Sequence, residues 1–177
     1  MRDLLPLEDA RVYSGAINEY RDSLLVVASS PDAATRLAEL ESRLGNNDGA
    51  RRFYDHALKR DSTYAPTHHA YGLFLVRAQE DEKALTHFRA AAKLDSSNSR
   101  YIYVHGVAAN SLGRSDEALE VLSDAWLRFP DDFDIGYALA TILRDNSKFE
   151  RATNVVATLK ARFPDNPTID ALSRDEK

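Results

Sequence analysis

Five alanines, Ala16, Ala50, Ala84, Ala118 and Ala152, follow one another at intervals of 34 residues. A fixed period of this length constrains the fold more than any other feature, because each copy must become one supersecondary unit stacked on the next. Other residues keep the same step. Four residues after each alanine stands a bulky side chain: Tyr20, Tyr54, Phe88, Leu122 and Val156. Seven after stand Ala57, Ala91, Ala125 and Leu159, with Ser23 in the weakest copy. Twelve before, from the second alanine on, come Ala38, Gly72, Gly106 and Ala140, and Pro130 and Pro164 are again 34 apart.

Apolar residues recur at steps of three and four within each copy, the period of one helix face. The division is residues 1–30 as a lead-in with an unpaired helix over 7–29, four copies at 31–64, 65–98, 99–132 and 133–166, and a cap and tail at 167–177. Because Ala16 falls in register without a first helix before it, the array is expected to begin in mid-repeat. Two helices are expected per copy, at about Pro66–Ala78 and Asp81–Leu94 in the second and Ser99–Leu112 and Ser115–Phe129 in the third. No stretch alternates with the period of a strand. Gly45 and Gly113 suit the left-handed residue that ends a helix. Ser30 is placed to cap the first full helix, with Pro31 in its opening turn. Asp48, Asp81 and Ser115 are the expected caps of the second helices. The small residues imply a tight helix crossing in which Gly72 faces Ala84, with Phe88 filling the space towards the next copy.

Such a helix–turn–helix copy resembles the tetratricopeptide repeat. The residues that carry the resemblance are His68, Tyr71, Gly72, Leu75, Ala84, Phe88 and Ala91 in the second copy. In the third they are Ile102, His105, Gly106, Ala109, Ala118, Leu122, Ala125 and Pro130, and in the fourth Gly136, Leu139, Ala140, Leu143, Ala152, Val156, Leu159 and Pro164. The first copy is looser, with Ala34, Leu37, Ala38, Glu41, Ala50, Tyr54 and Ala57. The resemblance implies an all-α, right-handed superhelical solenoid of antiparallel helix pairs. The stretch Arg100–Leu119 with Ile142–Asp145 is also similar to repeat arrays found beside multihaem c-type cytochrome domains in bacteria. A CxxCH haem attachment is impossible in a chain with no cysteine, so only the repeat region of such an architecture would be present.

In the family the first helix of each copy lines a concave groove, and the resemblance implies a scaffold that binds a protein or peptide there. The inward positions fall on Thr35, Glu39 and Ser42; His69, Leu73 and Val76; Tyr103, Val107 and Asn110; and Tyr137, Thr141 and Arg144, with Arg43 and Arg77 flanking. The second to fourth copies supply the expected partner-binding set: His69, Leu73, Val76, Arg77, Tyr103, Val107, Asn110, Tyr137, Thr141 and Arg144. Tyr103 and Tyr137 share one repeat position and would form adjacent platforms. A subset of the family clamps a carboxylate with Lys and Asn where this chain has Thr35 and Glu39; Glu39 would repel it. The alternative is a self-association module, dimerising through the leading helix.

Other classes of function find less support. Net charge is −5, from 28 acidic and 23 basic residues, which speaks against a nucleic-acid surface. The longest aliphatic run, Leu24–Ala28, is too short to span a bilayer, and the first residues lack the apolar core of a signal peptide. No compartment is assigned, the cytoplasm being preferred to the periplasm. None of the five histidines forms a zinc motif, and His68 and His105 are expected to be buried packing residues. Trp126 is read as packing between copies, and Asp131, Asp132 and Asp134 as a helix-start acidic run. No phosphate-binding glycine loop or GxSxG occurs, so neither an enzyme activity nor a cofactor is expected.

Overall fold

The computed structural model describes residues 29–174, together with Gly15, Ser23 and Leu24. The expected leading helix, and with it dimerisation through residues 7–29, therefore lies outside the described residues but for those positions. From Ser29 to Arg174 the chain forms nine α-helices and no strand: α1 (Pro31–Arg43), α2 (Asn47–Arg60), α3 (Ala65–Arg77), α4 (Asp81–Leu94), α5 (Ser99–Ser111), α6 (Ser115–Arg128), α7 (Phe133–Asp145), α8 (Phe149–Arg162) and α9 (Pro167–Arg174). The first helices thus start 34 residues apart, at Pro31, Ala65, Ser99, Phe133 and Pro167, and so do the second ones, at Asn47, Asp81, Ser115 and Phe149.

Hydrogen bonds explain the regularity. The first helices α1, α3, α5 and α7 end in the same two-bond turn, in which a left-handed residue donates three residues back and its successor donates five back. Gly45 N–H reaches Ser42 and Asn46 N–H reaches Glu41; Gln79 and Glu80 reach Val76 and Leu75; Gly113 and Arg114 reach Asn110 and Ala109; Ser147 and Lys148 reach Arg144 and Leu143. The left-handed residues have φ of 78°, 61°, 74° and 58° at Gly45, Gln79, Gly113 and Ser147. The next bond belongs to the alanine series. Ala50, Ala84, Ala118 and Ala152 donate to Asn46, Glu80, Arg114 and Lys148 at 2.9–3.1 Å and close the first turn of α2, α4, α6 and α8.

This turn yields a prediction. Gln79 and Ser147 hold a conformation that strains side chains with a Cβ by about 1–2 kcal/mol, less the unfolded-state entropy that glycine would add, about 0.4–1 kcal/mol. Gln79→Gly and Ser147→Gly should each raise stability by about 0.5–1 kcal/mol, whereas Gly113→Ala should lower it. Urea titration at unchanged slope measures this. An unmoved or lowered midpoint in both glycine variants would remove strain as the explanation.

Capping differs from expectation. Ser30 does cap α1, its Oγ accepting from Ala33 N–H at 3.1 Å. Asp48, Asp81 and Ser115 do not cap: they lie inside the first turns of α2, α4 and α6, and the cap positions are Asn46, Glu80 and Arg114. Only Asn46 of these three caps with its side chain. The tight turn fixes the helix start one residue or more earlier than side-chain preference suggests. Side-chain caps instead open α5 and α7, through Asn98 and Asp132, and Asn166 does the same ahead of α9.

The chain divides into two compact units after Ala70. The first unit holds α1, α2 and the start of α3. Its core includes Ala34, Ala38, Ala50, Phe53, Tyr54 and Ala57. Thr35, expected in the groove, is instead buried: its hydroxyl donates to Pro31 O at 2.7 Å and so must accept from Thr67 Oγ1 at 2.6 Å. Glu41 stands buried where later copies carry Leu75, Ala109 and Leu143, and it accepts from Asn46 Nδ2. His68 is half-buried rather than buried, with Nε2 at 3.1 Å from Ser62 O.

The second unit, from Tyr71, has one continuous apolar core running from Leu85 on α4 to Leu172 on α9. Its tight crossings revise the expected place of Phe88. The space where Gly72 lacks a side chain is taken by the Phe88 ring of the same helix pair, whose Cε1 lies 2.5 Å from an ideal Cβ. Gly106 is met in the same way by Leu122 at 2.6 Å. Phe88 and Leu122 therefore fill their own helix pair first. Trp126 packs between copies, against Gly136 of α7.

Polar side chains brace neighbouring pairs. Arg89 on α4 holds Glu117 on α6 through both its Nε and Nη2, at 3.0 and 2.7 Å, and buried His105 on α5 meets the same Oε1 at 2.8 Å. Burial pushes the Glu117 carboxyl up, but hydrogen bonds from His105 and Arg89, with the Arg89 and His105 charges, outweigh it and hold it below the ordinary glutamate range. Arg128 and Arg162 each reach back to the link before their own copy, to Ser96 O and to Asp131.

Candidate functional site

Leu73 and Val76 lie three apart on α3, so both face the same side of the helix. Neither is used by the core: they remain 38% and 45% exposed. Opposite them stand Tyr103, Val104, Val107, Ala108, Ser111 and Leu112 of α5. Ala84 and Phe88 of α4 form the floor, and Asp81 stands at the start of the same helix. These residues enclose a cavity of about 360 Å³ within the second unit. Asp81 is the one carboxylate among its lining residues, which include no lysine, arginine or histidine.

Four expected site residues, Leu73, Val76, Tyr103 and Val107, come together around this cavity. The other six do not line it. Arg77 is exposed in the last turn of α3. Asn110 is half-buried, its Oδ1 accepting from Ser115 Oγ at 3.1 Å. Tyr137 stacks on Phe133 of its own helix, with centroids 5.7 Å apart, and Phe133 meets Phe163 edge-on at 5.4 Å. Thr141 donates to Tyr137 O at 2.9 Å, and Arg144 is half-buried beyond it. His69 is half-buried in the first unit. Tyr103 is half-buried with the Arg100 guanidinium 5.4 Å from its ring centre, so one part of the ring is already covered by its own helix.

The cavity is also lined by residues outside the set that the resemblance implied: Asp81, Ala84, Phe88, Val104, Ala108, Ser111 and Leu112. Ala84, 1% exposed, lies beneath the cavity and contributes to its lining. A signal for Phe88 was present. Glycine at position 72 draws the large ring across the crossing, where its far edge is left facing α5. The breadth of the α5 wall follows from Val104 and Ala108 each standing next to an inward-facing residue, Tyr103 and Val107.

The described residues contain no group of acidic, histidine or cysteine side chains able to hold a metal ion. No described helix is long and apolar enough to cross a membrane.

Comparison with known proteins identifies the repeat. The tetratricopeptide repeat family matches residues 21–162. Superkiller protein 3 of Schizosaccharomyces pombe is 27% identical over 104 residues, which is 59% of this chain but 8% of that protein. The chain therefore spans less than a tenth of that curated relative. YrrB, described as a TPR protein with an unusual peptide-binding site, superposes with a TM-score of 0.68 at 20% identity, covering 91% of this chain and 79% of its own. MamA superposes at 0.69 and 16% identity over 90% and 95%, and PilF of Pseudomonas aeruginosa at 0.66 and 19% over 88% and 82%. At such identities the likeness is one of fold: an all-α array of helix pairs. With a family match over most of its length and the same two-helix turn closing every 34 residues, the chain belongs to the tetratricopeptide repeat family, whose members generally serve as scaffolds for protein interaction.

Proposed function

We propose that this protein binds a peptide segment of a partner protein in the apolar cleft between α3 and α5. The observation that carries this reading is the coincidence of two independent patterns. Leu73, Val76, Tyr103 and Val107 stand where the family resemblance places the groove, and they share a cavity of about 360 Å³ in which Leu73 and Val76 are exposed. Apolar concavities with a few polar groups are what ligand sites are made of, and exposed leucine and valine that no core needs are surplus to folding. The volume suits one or two side chains of a peptide rather than a large cofactor. A peptide backbone lying along the helices would be held by side-chain burial, with Tyr103 as its aromatic anchor.

Peptides selected from a random display library on the wild-type protein supply the test. A carboxylate placed in the wall would stand unpaired against the peptide's apolar side chain, which costs several kcal/mol. Leu73→Glu should therefore weaken the selected peptides by about tenfold or more in fluorescence anisotropy, about 1.4 kcal/mol or above, with circular dichroism unchanged. Equal binding by wild type and Leu73→Glu would sink the assignment of this cleft.

A further inference from the structure

Asp81 stands apart from the acidic residues beside it. Glu80 pairs with Lys83 at 2.6 Å, Glu82 with Arg114 at 2.5 Å, and Glu117 with Arg89 at 2.7 Å. Among the described residues, Asp81 pairs with no cation. It is exposed, it opens α4, and it is the one charged group lining the apolar cleft. The rest of the lining is aliphatic or aromatic apart from the Ser111 hydroxyl and the phenol of Tyr103. A carboxylate without a cation partner, in a lining that is otherwise uncharged, sets the sign of what approaches at close range, because it attracts a cation and repels an acidic group there. The chain as a whole adds to this, with a net charge of −5.

We infer that the cleft selects a peptide in which one large apolar side chain is accompanied, within a few residues, by lysine or arginine. The apolar side chain enters between Leu73, Val76 and Val107 and rests on Phe88, while the cation stays at the rim and meets Asp81. The apolar contact supplies most of the affinity, and the rim charge supplies discrimination and register. The neutral interior excludes the opposite arrangement, in which the charge is buried and the apolar group left outside. Acidic peptides are rejected by Asp81 itself. This inference rests on the cleft being the binding site, and it adds the chemistry of the occupant.

The experiment is a random-peptide display selection run in parallel on wild type, Asp81→Asn and Asp81→Lys, with the recovered peptides then synthesised and titrated against all three and against Leu73→Glu. Asp81→Asn keeps a side chain suited to a helix start, so a loss of binding there is not a loss of α4. Wild type should recover peptides with a leucine, methionine or phenylalanine close to a lysine or arginine. Asp81→Asn should bind those peptides severalfold more weakly. Asp81→Lys should bind them about tenfold more weakly and should itself recover aspartate or glutamate beside the same apolar residue. Wild-type peptides with no cation preference, or a preference that Asp81→Lys leaves unaltered, would overturn the inference while leaving the cleft in place. Peptides that bind Leu73→Glu as well as wild type would instead show that the cleft is not the site, and both readings would fall together.

Discussion

Trp126→Ala should lower the free energy of unfolding by about 3–5 kcal/mol, the range for removing a buried aromatic side chain. Trp126 is only 9% exposed on α6. Its ring carbons Cζ3 and Cη2 lie 2.7 and 2.8 Å from where Gly136 would carry a Cβ, and Leu159 Cδ2 of α8 shares the hollow at 2.8 Å. One side chain therefore joins α6 to both helices of the following pair. In a stacked array, stability is a sum of unit and nearest-neighbour terms. Emptying this contact removes much of the interface that holds α7, α8 and α9 on the rest of the second unit. Against a typical domain stability of about 5–15 kcal/mol, the expected loss is large enough to separate melting of the last helices from the remainder. Chemical denaturation followed by circular dichroism at 222 nm reads both effects; the intrinsic fluorescence of the chain's one tryptophan reads the junction in wild type alone. A loss below about 1 kcal/mol with one sharp transition would mean that the neighbours collapse into the hollow and that Trp126 is not the joint.

The period was legible because it is written in backbone needs. An alanine recurs where the second helix makes its first i→i−4 bond against a close neighbour, and Ala50, Ala84, Ala118 and Ala152 all do so. Glycine marks two of the four left-handed turns, but Gln79 and Ser147 occupy the other two. Composition alone would have missed them, whereas counting from Gly45 and Gly113 would have found both. The capping expectation failed for Asp48, Asp81 and Ser115 because residue preference was weighed without the turn that precedes it. The place of Phe88 was misjudged for a related reason: a small residue at position 72 announces that something large is near and does not say which residue it is. The groove positions were legible only as a helix face. Thr35 fits that face in the first copy and yet is buried against Thr67, since register cannot show where a neighbouring helix covers it. Asp81 and Phe88 belong to second helices, so no reading confined to first helices would have reached the floor and rim of the cleft.

Phe88 is where fold and cleft meet, and it supports a prediction whose sign changes with background. Phe88→Ala alone should cost about 3–5 kcal/mol, since the ring is 2% exposed and fills the crossing of α3 and α4. Gly72→Ala alone adds a methyl 2.5 Å from Phe88 Cε1 and 2.7 Å from Cδ1. Overpacking of that kind costs about 1–3 kcal/mol, and the better helix propensity of alanine returns about 1 kcal/mol. The single variant should therefore be destabilised or close to neutral. In the Phe88→Ala background the obstruction is gone. The same Gly72→Ala change should then stabilise, by about 1 kcal/mol from propensity and a further fraction from the space it fills. The four proteins form a double-mutant cycle with an interaction energy of about 1–3 kcal/mol, measurable as midpoints in urea at constant slope. If Gly72→Ala shifts stability equally in both backgrounds, the ring is not what keeps position 72 small. The same cycle bears on binding. Shortening Phe88 deepens the floor of the cleft, so a peptide side chain that fits wild type should lose contact there. Gly72→Ala in that background restores stability from the α3 side without rebuilding the floor. Stability should recover in part while peptide affinity stays low, and that divergence separates what Phe88 does for the fold from what it does for the cleft.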